Sequence, residues 1–214
     1  MSGRTAAGWG VLVGALATLN YADRFASGKP PKDVLYQWST AIGSAVLFAV
    51  ILGIVFVLAN ASRDLLALRR PASWKGALRQ MVVVLVGIYA LTGVLEPFLH
   101  PGREQGLTPD RWDSSRAAPF LANAVVVCLI APVTEELTFR GLGFTLLRRF
   151  GDRRAVVLTA IAFGLAHGLV EAFPILVAFG IGLAWIRMRQ ESVLPGIVLH
   201  GTFNAIALAL SVST

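Results

Sequence analysis

Apolar residues in this chain do not alternate with polar ones; they run on. Stretches near residues 6–21, 38–60, 80–99, 118–147, 155–170, 172–186 and 192–213 are largely unbroken by charge, and charged residues gather between them. A helix crosses a hydrocarbon core with roughly 20 residues, whereas membrane strands show a two-residue alternation that is absent here. The pattern predicts an all-α fold, a polytopic transmembrane helical bundle of about seven spans. The first run has a second reading. Arg4, a short apolar core and Ala15-Leu16-Ala17 resemble a cleavable signal, which would leave six spans.

Composition agrees with this picture. The chain has 214 residues, 56% hydrophobic and 14% charged, where soluble domains carry roughly 25% charge. The net charge of +7 comes from Lys and Arg clustered between apolar runs, with no basic face interleaved with aromatics, so nucleic acid is not an expected partner. Arg4, Arg63, Arg69, Arg70, Lys75, Arg79, Arg148, Arg149, Arg153, Arg154, Arg187 and Arg189 fall on one side of the bundle. Arg24, Lys29, Lys32, Arg103, Arg111 and Arg116 fall on the other. Since cytoplasmic loops retain basic residues, the amino terminus is expected in the cytoplasm. Sixteen Arg against three Lys and a high Ala content suggest a GC-rich bacterial genome and a bacterial plasma membrane.

Residues 1–214 read as a single membrane domain, with residues 29–32 and 100–102 as loop punctuation and 100–116 as a solvated external connection. Glu96, His100 and Glu171 are expected at the interface, and Trp9, Trp38, Trp74, Trp112 and Trp185 fall mostly near the ends of the runs, as interfacial anchors do. Cys128, the one cysteine, can form no intrachain disulfide and reads as packing.

Candidate chemistry comes from the ionisable residues that interrupt the runs. Charges inside spans cost roughly 2.5–3.5 kcal/mol on insertion scales and mark functional positions. The fourth run contains Glu135, Glu136 and Arg140, the fifth Phe163 and His167, the last His200 and Asn204. Glu136 and Arg140 stand four apart with the acid first, the favoured helical ion pair, while Glu135 is turned roughly 100° away. At about 1.5 Å per residue, Glu135, His167 and His200 each lie roughly 17–20 Å from the basic residues flanking their runs, so three helices bring polar groups to one level. Glu, two His and Asn without a nucleophile motif point to activated water and peptide hydrolysis. Glu135 is the candidate base, aided by His167. His200 and Asn204 are candidate oxyanion donors, each donor worth about 3–4 kcal/mol in soluble proteases. Glu136, Arg140 and Phe163 are read as support. Gly141, Gly143, Gly164, Gly168 and Gly201 are read as allowing close helix approach.

EExxxR (Glu135, Glu136, Arg140), FxxxH (Phe163, His167) and HxxxN (His200, Asn204), in that order on successive apolar runs, resemble the CAAX protease and bacteriocin-processing family. These glutamic intramembrane endopeptidases, also called the Abi family, include the type II CAAX prenyl endopeptidases. The resemblance covers residues 118–210, which become the expected catalytic core. It implies a bundle of eight or fewer helices with a cavity open to substrate, Glu135 and His167 activating water, and His200 and Asn204 as oxyanion hole; separately, no cofactor or metal is expected. The expected partners are a membrane peptide or protein terminus and the bilayer. Protein prenylation is not expected in a bacterium, so a processed bacterial peptide or membrane-anchored terminus is the favoured substrate. Two other readings stand beside this one. Glu135, His167 and His200 could ligate zinc, although HExxH is absent. The same midplane groups could also serve a small transporter or a non-catalytic peptide-binding immunity protein.

Overall fold

The computed structural model describes residues 3–28, 33–99, 104 and 112–212. His100, residues 29–32 and most of the expected loop 100–116, including Arg103 and Arg111, lie outside the described residues. The described residues are mostly helical and contain no strand. In chain order the long helices are α1 (Gly3–Ser27), α2 (Trp38–Leu58), α3 (Trp74–Leu95), α4 (Ser114–Phe150), α5 (Asp152–Ala166), α6 (Phe173–Gln190) and α7 (Leu194–Ser211). Each corresponds to one of the apolar runs. Among the described residues α2, α3, α4 and α7 are long and apolar enough to cross a membrane by themselves.

Local chemistry explains where these helices depart from the apolar runs. Helix α3 begins six residues before its run because the Ser73 side chain accepts the Gly76 N–H and so caps a polar first turn. Helix α5 stops at Ala166 rather than running to 170, since Gly168 takes a left-handed φ of +65°. Pro174 and Pro195 occupy the first turns of α6 and α7, where no intrahelical N–H is missed.

Helix α4 is not a regular α-helix. It contains two π-helical stretches, Val126–Ile130 and Leu137–Gly143, separated by the α-helical Ala131–Glu136. Such stretches often mark functional positions, and here they flank the two acids. The apolar faces of α2 and α3 look outward, with Val46, Val50, Val57, Val82, Val83 and Val86 exposed. Outward valines on this scale suit lipid rather than water. The polar groups of α4 are turned inward instead: Glu136, Thr138 and Arg140 are buried with Leu142, Phe163, Leu183 and Ile186.

Two expectations are corrected. Trp9 is not an interfacial anchor; it is buried, and its Nε1 donates to the Thr138 carbonyl at 2.9 Å within the second π stretch. Arg187 is not a loop charge. It is buried in α6, where its Nε donates to the Arg140 carbonyl at 3.1 Å and its guanidinium lies 5.1 Å from the Phe144 ring centre.

Candidate active site

Glu135 and Glu136 project in different directions from α4 and acquire different surroundings. Glu136 and Arg140 are both fully enclosed, with Oε1 and Nη1 3.0 Å apart, and Arg140 Nη2 also donates to the Gly180 carbonyl at 3.1 Å. The guanidinium stands 4.3 Å from the centre of the Phe163 ring, close enough for a cation–π contact. Phe163 also meets His167 edge-on at 4.5 Å and His200 at 5.7 Å between ring centres. One buried aromatic therefore touches three of the polar residues and limits how their rings can turn.

The end of α5 sets the orientation of His167. The backbone N–H of His167 turns to Gly164, three residues back, instead of to Phe163. The Phe163 carbonyl is taken by the imidazole, with Nδ1 at 2.7 Å. A carbonyl only accepts, so Nδ1 carries the hydrogen and Nε2 is the free nitrogen. Nε2 lies 3.7 Å from Glu135 Oε2.

His200 repeats the arrangement from α7. Its Nδ1 is 3.2 Å from Glu136 Oε1, which also accepts from Arg140, so Nδ1 is again the donor. Its Nε2 lies 3.8 Å from Glu135 Oε2. Glu136 is thus shared between Arg140 and His200, a link that the spacing of EExxxR does not reveal. Distances of 3.7 and 3.8 Å are too long for direct hydrogen bonds and suit a small molecule accepting from or donating to both sides.

Asn204 stands one turn beyond His200 and bonds elsewhere: its Nδ2 donates to the Val127 carbonyl at 2.8 Å. Pro132 explains why that carbonyl is available. In the π stretch the Ala131 N–H reaches back to Val126, and the next residue, Pro132, has no N–H to give to Val127. Gly201 lets α7 come this close, since a Cβ there would lie 2.6 Å from the Cys128 carbonyl oxygen. Asn204 retains a second N–H.

Glu135 and His167 line a cavity of about 460 Å³ bounded by Leu16 of α1, Phe48 and Ile51 of α2, Phe139 of α4, and Leu169. The cavity also reaches exposed Ser27 and Gly28 at the end of α1. Neither His200 nor Asn204 lines it. Sequence reading missed several residues that border it. Asn20, Arg24 and Glu104 had no motif to mark them, and Glu104 was expected in a solvated loop but is buried and paired with Arg24 at 2.9 Å. Among the described residues, no group of three or more His, Cys, Asp or Glu has metal-holding geometry.

Residues 117–206 match the family model described as type II CAAX prenyl endopeptidase Rce1-like. No curated protein and no solved structure matches the chain. The matched stretch spans the body of α4, all of α5 and α6, and most of α7, so the acids, both facing histidines and Asn204 all fall within it. Over residues 117–206 the chain is similar to this family of membrane CAAX-type proteases.

Proposed function

We propose that the protein is an intramembrane endopeptidase in which Glu135, with His167, activates water against a peptide bond of a membrane-associated peptide or protein terminus. The observation that carries this reading is the convergence of two Nε2 atoms on Glu135 Oε2, at 3.7 and 3.8 Å, with both Nδ1 atoms committed elsewhere. A water between Glu135 and His167 gives one proton to the carboxylate while its oxygen attacks the scissile carbonyl carbon. The C–N bond then breaks, and the proton passes from Glu135 to the departing amine nitrogen.

The roles of the remaining residues follow from their tautomers and partners. His200 can donate to the developing oxyanion only from Nε2, and with Nδ1–H bonded to Glu136 that requires a second proton. Glu136, at 3.2 Å from Nδ1, and Glu135, at 3.8 Å from Nε2, are the two carboxylates beside that imidazolium. Asn204 would contribute its second N–H. Glu136 and Arg140 hold α4 and His200 in place.

The test is a comparison of membrane peptidomes from cells carrying the wild-type protein or Glu135→Gln. Cleavage products present in the first and missing in the second are expected; identical peptidomes would count against proteolysis. Metal analysis of the same purified protein separates the zinc reading, because stoichiometric zinc with activity lost to chelation and restored by metal would replace this mechanism.

A further inference from the structure

His167 sits at the start of the turn that joins α5 to α6, and residues outside the matched family segment take part in holding that turn. Its carbonyls are met from α1: Asn20 Nδ2 donates to Ala166 at 2.6 Å and Tyr21 Oη to Leu169 at 3.3 Å. Gly168 packs so closely on α1 that a Cβ would lie 2.6 Å from the backbone carbon of Asn20. Two of its N–H groups are met by Glu104, whose Oε1 accepts from Val170 at 2.8 Å and whose Oε2 accepts from Ala172 at 2.9 Å. The Glu104 side chain is fully enclosed, and Arg24 grips it twice, with Nη2 2.9 Å from Oε1 and Nη1 3.4 Å from its backbone carbonyl. A buried carboxylate is tolerated when a cation and enough hydrogen bonds meet it, and here one acid receives both.

We propose that Glu104, held by Arg24, is a positioning residue that fixes the turn after α5 so that His167 Nε2 faces Glu135. Both residues lie outside residues 117–206. The proposal takes from the function proposed above only that His167 works against Glu135. Without the carboxylate, Val170 and Ala172 lose their acceptor, the turn loosens, and the Nδ1 bond of His167 to Phe163 is no longer held in one register.

The experiment is nitrogen-15 NMR of the histidine side chains in detergent-solubilised full-length protein, with the three histidines assigned by substituting each in turn. Wild-type protein is expected to show His167 as one Nδ1–H tautomer. In Glu104→Gln its two ring signals should move toward averaging between tautomers, and solvent exchange of the Val170 and Ala172 amides should rise by about tenfold or more. His200, bonded to Glu136, should keep its signals. The double substitution Arg24→Gln with Glu104→Gln leaves no unpaired buried charge and carries the test where the single variant does not fold. A wild-type His167 signal together with wild-type amide exchange in either folded variant overturns the proposal. Cleavage is followed separately: if the protein is not a peptidase, no variant cleaves, yet the His167 signal still answers the positional question.

Discussion

Glu135 and Glu136 are adjacent, but substitutions at the two positions should fail in different ways. Removing Arg140 leaves the fully buried Glu136 without its cation, a loss of about 3–5 kcal/mol. Arg140→Met should therefore lower the thermal midpoint in detergent sharply. Glu135→Gln keeps shape at a partly exposed side chain, so the midpoint should change by no more than about 0.5 kcal/mol equivalent while cleavage is lost. A large midpoint drop for Glu135→Gln would mean that this acid, too, is structural. Asp113, outside the membrane, permits a pH prediction. Hydrogen bonds from Ser115 and then Arg116 pull its carboxyl from 3.8 down to about 2. A carboxylate held down by folding lends stability that is full above its unfolded value and fades as pH falls toward the folded one. Asp113→Asn should accordingly remove acid sensitivity between pH 3.8 and about 2 and leave the neutral-pH profile unchanged, as pH-dependent unfolding would show. At this scale the sequence was most readable where partners share a helix, as Glu136 and Arg140 do. It was silent where they are far apart, since Glu104 and Val170 or Trp9 and Thr138 meet only after folding.

Helices were legible as apolar runs, whereas the internal irregularity of α4 was not. A π stretch has the same apolar composition as an α-helix, and only Pro132, with no N–H to offer, hinted that carbonyls nearby would need other donors. That reasoning makes Asn204 and Pro132 a coupled pair. Asn204→Leu should strand the Val127 carbonyl at a cost of about 1–3 kcal/mol. In a Pro132→Ala background, where the backbone can supply a donor, the same change should cost less. A double-mutant cycle in detergent measures the coupling, and additive effects would show that the Val127 bond is incidental. The turn after α5 was misread for a related reason. The apolar run continues through Leu169 and Val170, and the glycine that ends the helix earlier is recognisable only from its conformation. Gly168→Ala adds a Cβ at φ +65° against the Asn20 backbone. It should destabilise by more than the roughly 1–2 kcal/mol of left-handed strain alone, visible as a lower thermal midpoint.

For the molecule as a whole, hydrophobic patterning was enough to give an all-helical membrane bundle because lipid accepts few other ways of satisfying the backbone. The balance of loop charges further predicts a cytoplasmic amino terminus. A reporter active only in the cytoplasm should function when fused before Gly3, and activity of an extracytoplasmic reporter at that position would reverse the orientation. The cavity described above has two owners. Its reactive wall comes from α4 and the end of α5, inside residues 117–206, while Leu16, Phe48 and Ile51 belong to helices that precede this segment. The proposed function thus puts chemistry and selectivity on separable lengths of chain. A chimera that takes its first hundred or so residues from a protease matched by the same family model should inherit that protein's substrate preference while keeping this chain's reactive groups. The graft should succeed only when Asn20, Arg24 and Glu104 are carried across as a set, because they form the joint between the exchanged part and the histidine it must support.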